Sequence, residues 1–251
     1  MTLIVAHVSA TGAVMASDSL AVEADYTISQ EKKIWSTGGL LFGYAGQLSL
    51  REDLRKAIEA ALVLAPIPPD ADLDMVKSQL TAIIAPALRT AYGNYVGSGD
   101  PENALGGALL VVGKSSDGHW ILEIDKHNTP SDYTQSGFHA IGSAAENAHV
   151  ARYMLRHHVL PGRETKHLRL VALRTVASCV EVLGHAFGIG LPVQLWHNVD
   201  NGFAELDENE LAGVQDGVEQ WIQIEKEALD KVFADSDDGT KEPLPDRLTD
   251  T

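Results

Sequence analysis

The residue best suited to catalysis stands at the start of the chain, where Thr2 follows the initiator Met1. A threonine hydroxyl is a weak nucleophile, but it becomes useful when the free α-amine of the same residue acts as its base. Methionine aminopeptidase removes Met1 when the next residue is small, so we expect Thr2 to become N-terminal. Its α-amine, with an unperturbed pKa of about 7.7–8.0, is then substantially neutral at cytosolic pH. The sequence therefore predicts a nucleophile and a base in one residue.

A Met-Thr start by itself is usually a surface feature, so this hypothesis depends on partners further along the chain. The candidate partners occur in the segments Ser17-Asp18-Ser19, Lys32-Lys33-Ile34, Gly43-Tyr44-Ala45-Gly46 and Ile141-Gly142-Ser143. Each segment alone has an ordinary structural explanation, which is a turn, a solvated strand edge, a strand end or a helix N-cap.

Hairpins and pairs of helices alternate along the chain and must position these candidates. Period-two and helical patterns predict strands over residues 2–9, 13–17, 29–35, 40–45, 108–112, 120–124, 138–141, 193–196 and 203–206. Helices are predicted over 50–62, 73–88, 144–157, 165–185 and 209–233, with a bend at Pro86. This order argues against a parallel sheet and predicts an α+β fold, a four-layer αββα sandwich of two antiparallel sheets. We expect one domain over residues 1–233 and an acidic, disordered tail over 234–251.

Composition narrows the classes of partner. The chain has 251 residues, 45% hydrophobic content and a net charge of −16, which repels nucleic acid and anionic membranes. Neither a membrane span nor a signal peptide is evident, and Cys179 is the single cysteine, so we expect a cytoplasmic protein. His7, His139 and His185 lie in unrelated segments without metal-ligand spacing, so the sequence predicts no metal and no cofactor.

Taken together with Thr2-Leu3-Ile4-Val5, the four segments resemble the signature of proteasome β-type subunits and their bacterial relatives, HslV and the Anbu-type subunits. The predicted element order is similar to the αββα sandwich of N-terminal nucleophile hydrolases. The resemblance extends from Thr2 to the last helix and leaves the acidic tail outside.

The resemblance implies a catalytic role for each candidate residue. The hydroxyl oxygen of Thr2 attacks a peptide carbonyl while its own amine takes the proton. Lys33 stands beside Thr2 as an ammonium and keeps the amine neutral, and Asp18 holds Lys33 in place. The N–H of Gly46 stabilises the oxyanion, and Ser143 supports the nucleophile.

The same resemblance implies a substrate pocket. Glu31 and Trp35 share the face of Lys33 if the strand is regular, and both match pocket positions of the family. Ala21, Tyr44 and Leu48 match further pocket positions. The expected pocket is mostly apolar with an acidic edge at Glu31.

The sequence departs from the family pattern at three points, of which the last two favour a divergent bacterial branch. The loop over residues 185–192 contains no carboxylate where the family has an aspartate and, shortly after it, a serine, and Glu181 is a poor substitute. The interval between Asp18 and Lys33 is one residue shorter than usual. Gln47 follows Gly46 where a second glycine is frequent.

The resemblance implies a threonine endopeptidase whose subunits assemble into a ring or ring-like homo-oligomer. Its substrates would be peptides or unfolded proteins, and an ATPase unfoldase is a further expected partner. Two alternatives stay open, a catalytically silent structural subunit and a small-molecule amide hydrolase of the same fold.

Overall fold

The computed structural model describes residues 2–22, 28–46, 48–68, 71–95, 107–125, 127–155, 165–187 and 189–236. The elements, in chain order, are β1 (Leu3–Val8), β2 (Ala13–Asp18), β3 (Leu20–Val22), β4 (Ile28–Gln30), β5 (Ile34–Thr37), β6 (Leu40–Ala45), α1 (Leu48–Leu64), α2 (Leu73–Tyr95), β7 (Ala108–Ser115), β8 (Gly118–Ile124), β9 (Pro130–Asp132), a 3₁₀ turn (Thr134–Ser136), β10 (Phe138–Gly142), α3 (Ala145–Met154), α4 (Thr165–Phe187), β11 (Val193–Val199), β12 (Gly202–Glu205) and α5 (Glu208–Ser236).

The described strands form two five-stranded antiparallel sheets and a separate β3–β4 hairpin. The first sheet has the order β10-β1-β2-β11-β12, and the second has the order β5-β6-β7-β8-β9. Ile4 of β1 lies opposite Ile141 of β10 and Ser17 of β2. This register brings the start of β1, the end of β2 and the end of β10 to one end of the first sheet.

The sheets face each other, and helices cover their outer faces. A buried cluster between the sheets joins Ile4 and Met15 of the first sheet to Leu41 and Leu110 of the second. A second buried cluster packs α1 and α2 onto the second sheet, and a third packs α3, α4 and α5 onto the first. The predicted four-layer αββα sandwich is confirmed.

Burial explains the two kinds of sequence pattern. Because both faces of the first sheet are covered, all six positions of β1 are buried and the strand shows no polar-apolar alternation. Helix α1 is covered on one side only, so its apolar residues recur every fourth position, at Leu50, Leu54, Ile58 and Leu62.

The predicted single strand over residues 29–35 is wrong, because the structure has two separate strands there, β4 and β5. Strand β4 pairs with β3, β5 pairs with β6, and residues 31–33 belong to neither ladder. The N–H of Glu31 donates to the carbonyl of Ser19 at 2.8 Å, and the N–H of Lys33 donates to Oε1 of Gln194 at 3.0 Å. These bonds replace the missing ladder contacts and tie the segment to the first sheet.

Other boundaries differ less from the predictions. Helix α2 continues through Pro86, and α5 runs to Ser236, three residues into the predicted tail. The part of the predicted tail from 237 onwards lies outside the described residues. No described helix combines the length and the apolar character needed to cross a membrane.

His7 is a buried polar residue at the far end of β1. Its side chain is 1% exposed, its ring packs 4.7 Å from the ring of Phe138, and within the described residues neither ring nitrogen has a hydrogen-bond partner. Burial, with a smaller contribution from the charge of Arg152, lowers the pKa of His7 from 6.5 to about 3. The native protein therefore holds this imidazole neutral.

We predict that His7 makes the fold less stable in acid. Below pH 6.5 the unfolded chain protonates this residue while the folded chain does not, so the free energy of unfolding falls by about 1.4 kcal/mol per pH unit from His7 alone. This loss continues down to the folded pKa of about 3. His7→Leu should remove it, and denaturant unfolding at pH 7 and pH 5 measures the difference.

The exposed His127 provides the matched control, since its imidazole is solvated in both states. His127→Leu should retain the pH dependence of the unmodified protein. An equal pH dependence in His7→Leu and the unmodified protein would contradict the prediction.

Candidate active site

Thr2 lies directly before β1, at one end of the first sheet, with 9% of its surface exposed. Its backbone N–H donates to the hydroxyl oxygen of Ser143 at 3.4 Å, and this hydroxyl donates to the carbonyl of Thr2 at 3.4 Å. Ser143 follows Gly142, which lies opposite Leu3 and has a φ of 101°. A side chain at 142 would collide with the carbonyl of Thr2, so glycine is required for this close approach.

Asp18 is a fully buried carboxylate at the end of β2 that joins three segments. Its Oδ1 accepts hydrogen bonds from the N–H of Leu3 at 2.8 Å and from Nζ of Lys33 at 2.8 Å. Its Oδ2 accepts from the N–H of Gly190 at 3.3 Å. One carboxylate therefore fixes the start of β1, the segment before β5 and the loop before β11.

Lys33 lies directly before β5, extends its side chain into this junction and is 3% exposed. Nζ also donates to the carbonyl of Leu20 at 2.7 Å. Burial is the largest influence and lowers the pKa of Lys33, while the charge and hydrogen bond of Asp18 oppose that change. The N–H of Leu3 and Nζ of Lys33 donate to the same oxygen of Asp18. This oxygen therefore bridges the ammonium and the peptide bond between Thr2 and Leu3.

Gly46 follows β6 and is exposed. A side chain at this position would overlap the ring and hydroxyl of Tyr44, and the same is true at Gly107. Tyr44 thus occupies the space that two glycines leave open. The predicted oxyanion role of the Gly46 N–H stays a prediction.

The predicted pocket residues lie in different surroundings. Trp35 and Tyr44 are 8% and 5% exposed and belong to the core under α1 and α2, where Trp35 stacks on Phe42 with ring centroids 5.5 Å apart. Glu31 is partly exposed and forms an ion pair with Arg51 at 3.0 Å. The side chains of Ala21 and Leu48 lie outside the described part of the structure.

The loop that lacks the family carboxylate contacts the site through its backbone. Besides the bond from Gly190 to Asp18, the N–H of Ser19 donates to the carbonyl of Gly190 at 3.3 Å. The hydroxyl of Ser19 donates to the carbonyl of Pro192 at 2.5 Å. Glu181, the substitute that the sequence offers, is exposed on α4.

Sequence reasoning missed Gly190, Gln194 and Arg51. Gly190 acts through an amide that every residue except proline carries, so no sequence signal identifies it. Arg51 lies beside the apolar stripe of α1, three residues before Leu54, and a charged residue in that position was an available signal.

Among the residues that the structure describes, no group of three or more histidine, cysteine, aspartate or glutamate side chains is arranged to hold a metal ion.

Comparison with known proteins gives a structural match and no sequence match. No protein-family model and no curated protein matches the sequence. A solved structure of Anbu (ancestral beta-subunit) from Yersinia bercovieri superposes with a TM-score of 0.67 at 17% identity, covering 96% of this chain and 98% of that chain. An Anbu (Gly-1) mutant from Hyphomicrobium sp. strain MC1 gives a TM-score of 0.66 at 16% identity, covering 97% and 99%. Over nearly its whole length, this chain has the fold of the Anbu proteasome-like subunits.

Proposed function

We propose that this chain is a threonine peptidase subunit of the Anbu type, with Thr2 as its nucleophile after removal of Met1. The observation that carries the proposal is the buried contact of Lys33 with Asp18, whose same oxygen accepts the N–H of Leu3. This contact supports the proposal because it links a cation, through one carboxylate oxygen, to the peptide bond that joins Leu3 to Thr2. We further propose a cytoplasmic location.

The proposed reaction uses the two functional groups of Thr2. Its hydroxyl oxygen bonds to the substrate carbonyl carbon while the hydroxyl proton moves to the Thr2 amine. The C–N bond then breaks, the leaving amine takes that proton, and the acyl group stays on Thr2 as an ester. Water attacks this ester with the amine as base, and the released Thr2 oxygen recovers its proton.

Lys33 and Asp18 support this chemistry electrostatically. A positive charge near Thr2 stabilises the developing alkoxide and disfavours protonation of the amine. Because burial lowers the pKa of Lys33, the ammonium depends on the opposing charge of Asp18. Asp18 therefore sets both the position and the charge of Lys33.

Two further groups complete the proposal. Ser143 already contacts the nitrogen of Thr2 at 3.4 Å, and after Met1 removal that nitrogen becomes the catalytic amine. The N–H of Gly46 is the proposed oxyanion donor, and loss of one such donor typically costs roughly 100- to 1,000-fold in rate. The family aspartate near the amine has no counterpart, so Ser143 is the proposed orienting group.

The missing carboxylate is also the observation that favours a catalytically silent structural subunit. Burial of Asp18 and Lys33 argues against this second candidate, because a buried ion pair is seldom more stabilising than apolar residues of similar size. The Asp18–Lys33 ion pair, which also binds the N–H that follows Thr2, is better explained by a catalytic role than by packing. A small-molecule amide hydrolase would share the nucleophile and differ in substrate and assembly.

Homo-oligomer formation belongs to the same proposal. Helices on both outer layers expose large apolar side chains, namely Val63, Leu64, Val182, Ile224, Leu229 and Val232, each at least 55% exposed. Exposed apolar surface of this kind suits contacts between subunits. We propose a ring or ring-like particle that cleaves peptides or unfolded proteins, with an ATPase unfoldase as its expected partner.

The first test of the proposal is the mass of the intact protein. We predict that the purified chain lacks Met1 and gains one adduct from a peptide electrophile that needs both a hydroxyl and a free amine. Thr2→Ala should lose the adduct because it retains the amine without the hydroxyl. Thr2→Ser keeps both groups and should still be labelled.

A retained Met1, or an adduct that persists in Thr2→Ala, would overturn the proposed nucleophile. Size measurement by light scattering on the same sample separates an assembled particle from a monomeric amidase.

The ion pair allows a second test, in which an effect on stability can be distinguished from an effect on catalysis. We predict that Asp18→Asn lowers the free energy of unfolding by about 3–5 kcal/mol, since it leaves the buried Lys33 charge without a counter-charge. The double variant Asp18→Asn/Lys33→Met removes both charges and should recover much of that loss. Neither variant should be labelled at more than about a hundredth of the normal rate, because both lack the ion pair.

Denaturant unfolding and adduct mass at pH 7.5 measure the two effects. Labelling of the double variant at the normal rate would show that the ion pair is structural only.

A further inference from the structure

Gln194 is a partly buried polar residue of β11. It pairs with Ser17 of β2, the residue before Asp18. Its Oε1 accepts hydrogen bonds from the N–H of Lys33 at 3.0 Å and from the hydroxyl of Ser17 at 3.3 Å. One side-chain oxygen therefore connects the first sheet to the backbone of the residue that carries the buried ammonium.

The backbone of Lys33 is bound to both sheets. Its carbonyl accepts the N–H of Tyr44 in β6 at 3.2 Å, which attaches this group to the second sheet. Residues 31–33 belong to neither ladder, and the N–H of Lys33 donates to Gln194 rather than to a strand carbonyl. The side chain of Gln194 thus performs at Lys33 the function that a neighbouring strand performs elsewhere in the sheet.

Two donors determine which end of the Gln194 amide faces Lys33. Ser17 is fully buried, and its hydroxyl donates to the same oxygen as the N–H of Lys33. A buried N–H requires an acceptor, which the oxygen of an amide side chain supplies and its nitrogen does not. The hydroxyl of Ser17 therefore helps to orient Gln194 for its contact with Lys33.

The contact with Gln194 fixes the starting point of the Lys33 side chain. From this backbone, Nζ reaches Oδ1 of Asp18 at 2.8 Å and the carbonyl of Leu20 at 2.7 Å. Both distances are close to the optimum for a hydrogen bond, so a displacement of the backbone lengthens them. A misplacement of about 1 Å can reduce the rate of an enzymatic reaction roughly a hundredfold.

From these contacts we infer that Gln194 is a positioning residue for the proposed reaction, because its side-chain oxygen holds the backbone from which the Lys33 ammonium extends to Asp18. This inference rests on the proposed peptidase function. Gln194 acts through Lys33, and Ser17 acts through Gln194. The polar side chains around the ammonium therefore form a chain of contacts that begins in β11.

The experiment measures how fast the peptide electrophile labels Thr2 in Gln194→Met and in the unmodified protein, from about pH 6 to pH 9. Methionine has a similar length and lacks the amide oxygen. We expect the labelling rate at pH 7 to fall about tenfold or more. The pH of half-maximal rate should rise towards the ordinary amine pKa of about 7.7–8.0, because a displaced ammonium no longer disfavours protonation of the Thr2 amine.

Two further variants show whether the change comes from the position of Lys33. The charged groups that influence the pKa of Lys33 are Asp18, Glu31 and Arg51, and all three remain in these variants. Gln194→Glu retains an acceptor oxygen and should recover part of the labelling rate. Ser17→Ala removes one of the two donors and should shift the pH of half-maximal rate in the same direction by less, which provides the same test if Gln194→Met does not fold.

Asn198, four residues further along β11, is the matched control. Its Oδ1 accepts the N–H of Ala13 at 2.8 Å and the hydroxyl of Thr165 at 3.1 Å, so it makes the same two kinds of bond near the other end of the strand. Asn198→Leu should lower stability in denaturant unfolding and leave the labelling rate and its pH dependence unchanged.

The outcomes separate this inference from the function on which it rests. A normal labelling rate and pH dependence in Gln194→Met overturn the positioning role and leave the peptidase proposal intact. An equal loss of labelling in Asn198→Leu also overturns the positioning role, since the effect then follows from stability alone. Absence of a Thr2 adduct in the unmodified protein overturns the peptidase proposal, and the positioning role with it.

Discussion

The burial of one ion pair, between Asp18 and Lys33, is the constraint on which the site depends. Asp18 ends β2 of the first sheet and Lys33 directly precedes β5 of the second, so the ion pair forms only when the two sheets have come together. Removing two charges from water is costly, and their mutual attraction offsets this cost only with good geometry and extra hydrogen bonds. Asp18 meets that condition with two backbone donors, from Leu3 and Gly190, and Lys33 with the carbonyl of Leu20.

The fold was predictable because its evidence is spread over many residues. Hairpins and helix pairs alternate along the chain, and each pattern needs only local spacing, so the four layers follow from the order of elements. Residues 31–33 were not predictable in this way. Their departure from the strand depends on Ser19 and on Gln194, which is distant in the sequence, and local patterns carry no information about such partners.

The candidate site was partly predictable for a related reason. Thr2, Asp18, Lys33 and Ser143 are recognisable by residue type, and the structure brings them together at one end of the first sheet. Their catalytic roles still rest on proposal. The family resemblance implied a pocket position for Trp35, and strand alternation gave it the face of Lys33. In the structure Trp35 packs into the helix-covered core, and its pocket role stays a prediction.

The contact of Gly190 with Asp18 has a practical consequence for mutagenesis. An amide group survives replacement of its side chain, so an alanine scan of the loop before β11 would register little at this contact and would pass over it. Natural substitutions in this loop can likewise change the side chain and keep the amide group. Relatives of this chain can diverge in side chains along that loop while keeping its hold on the carboxylate, which makes residue identity there a poor guide to whether the site is intact.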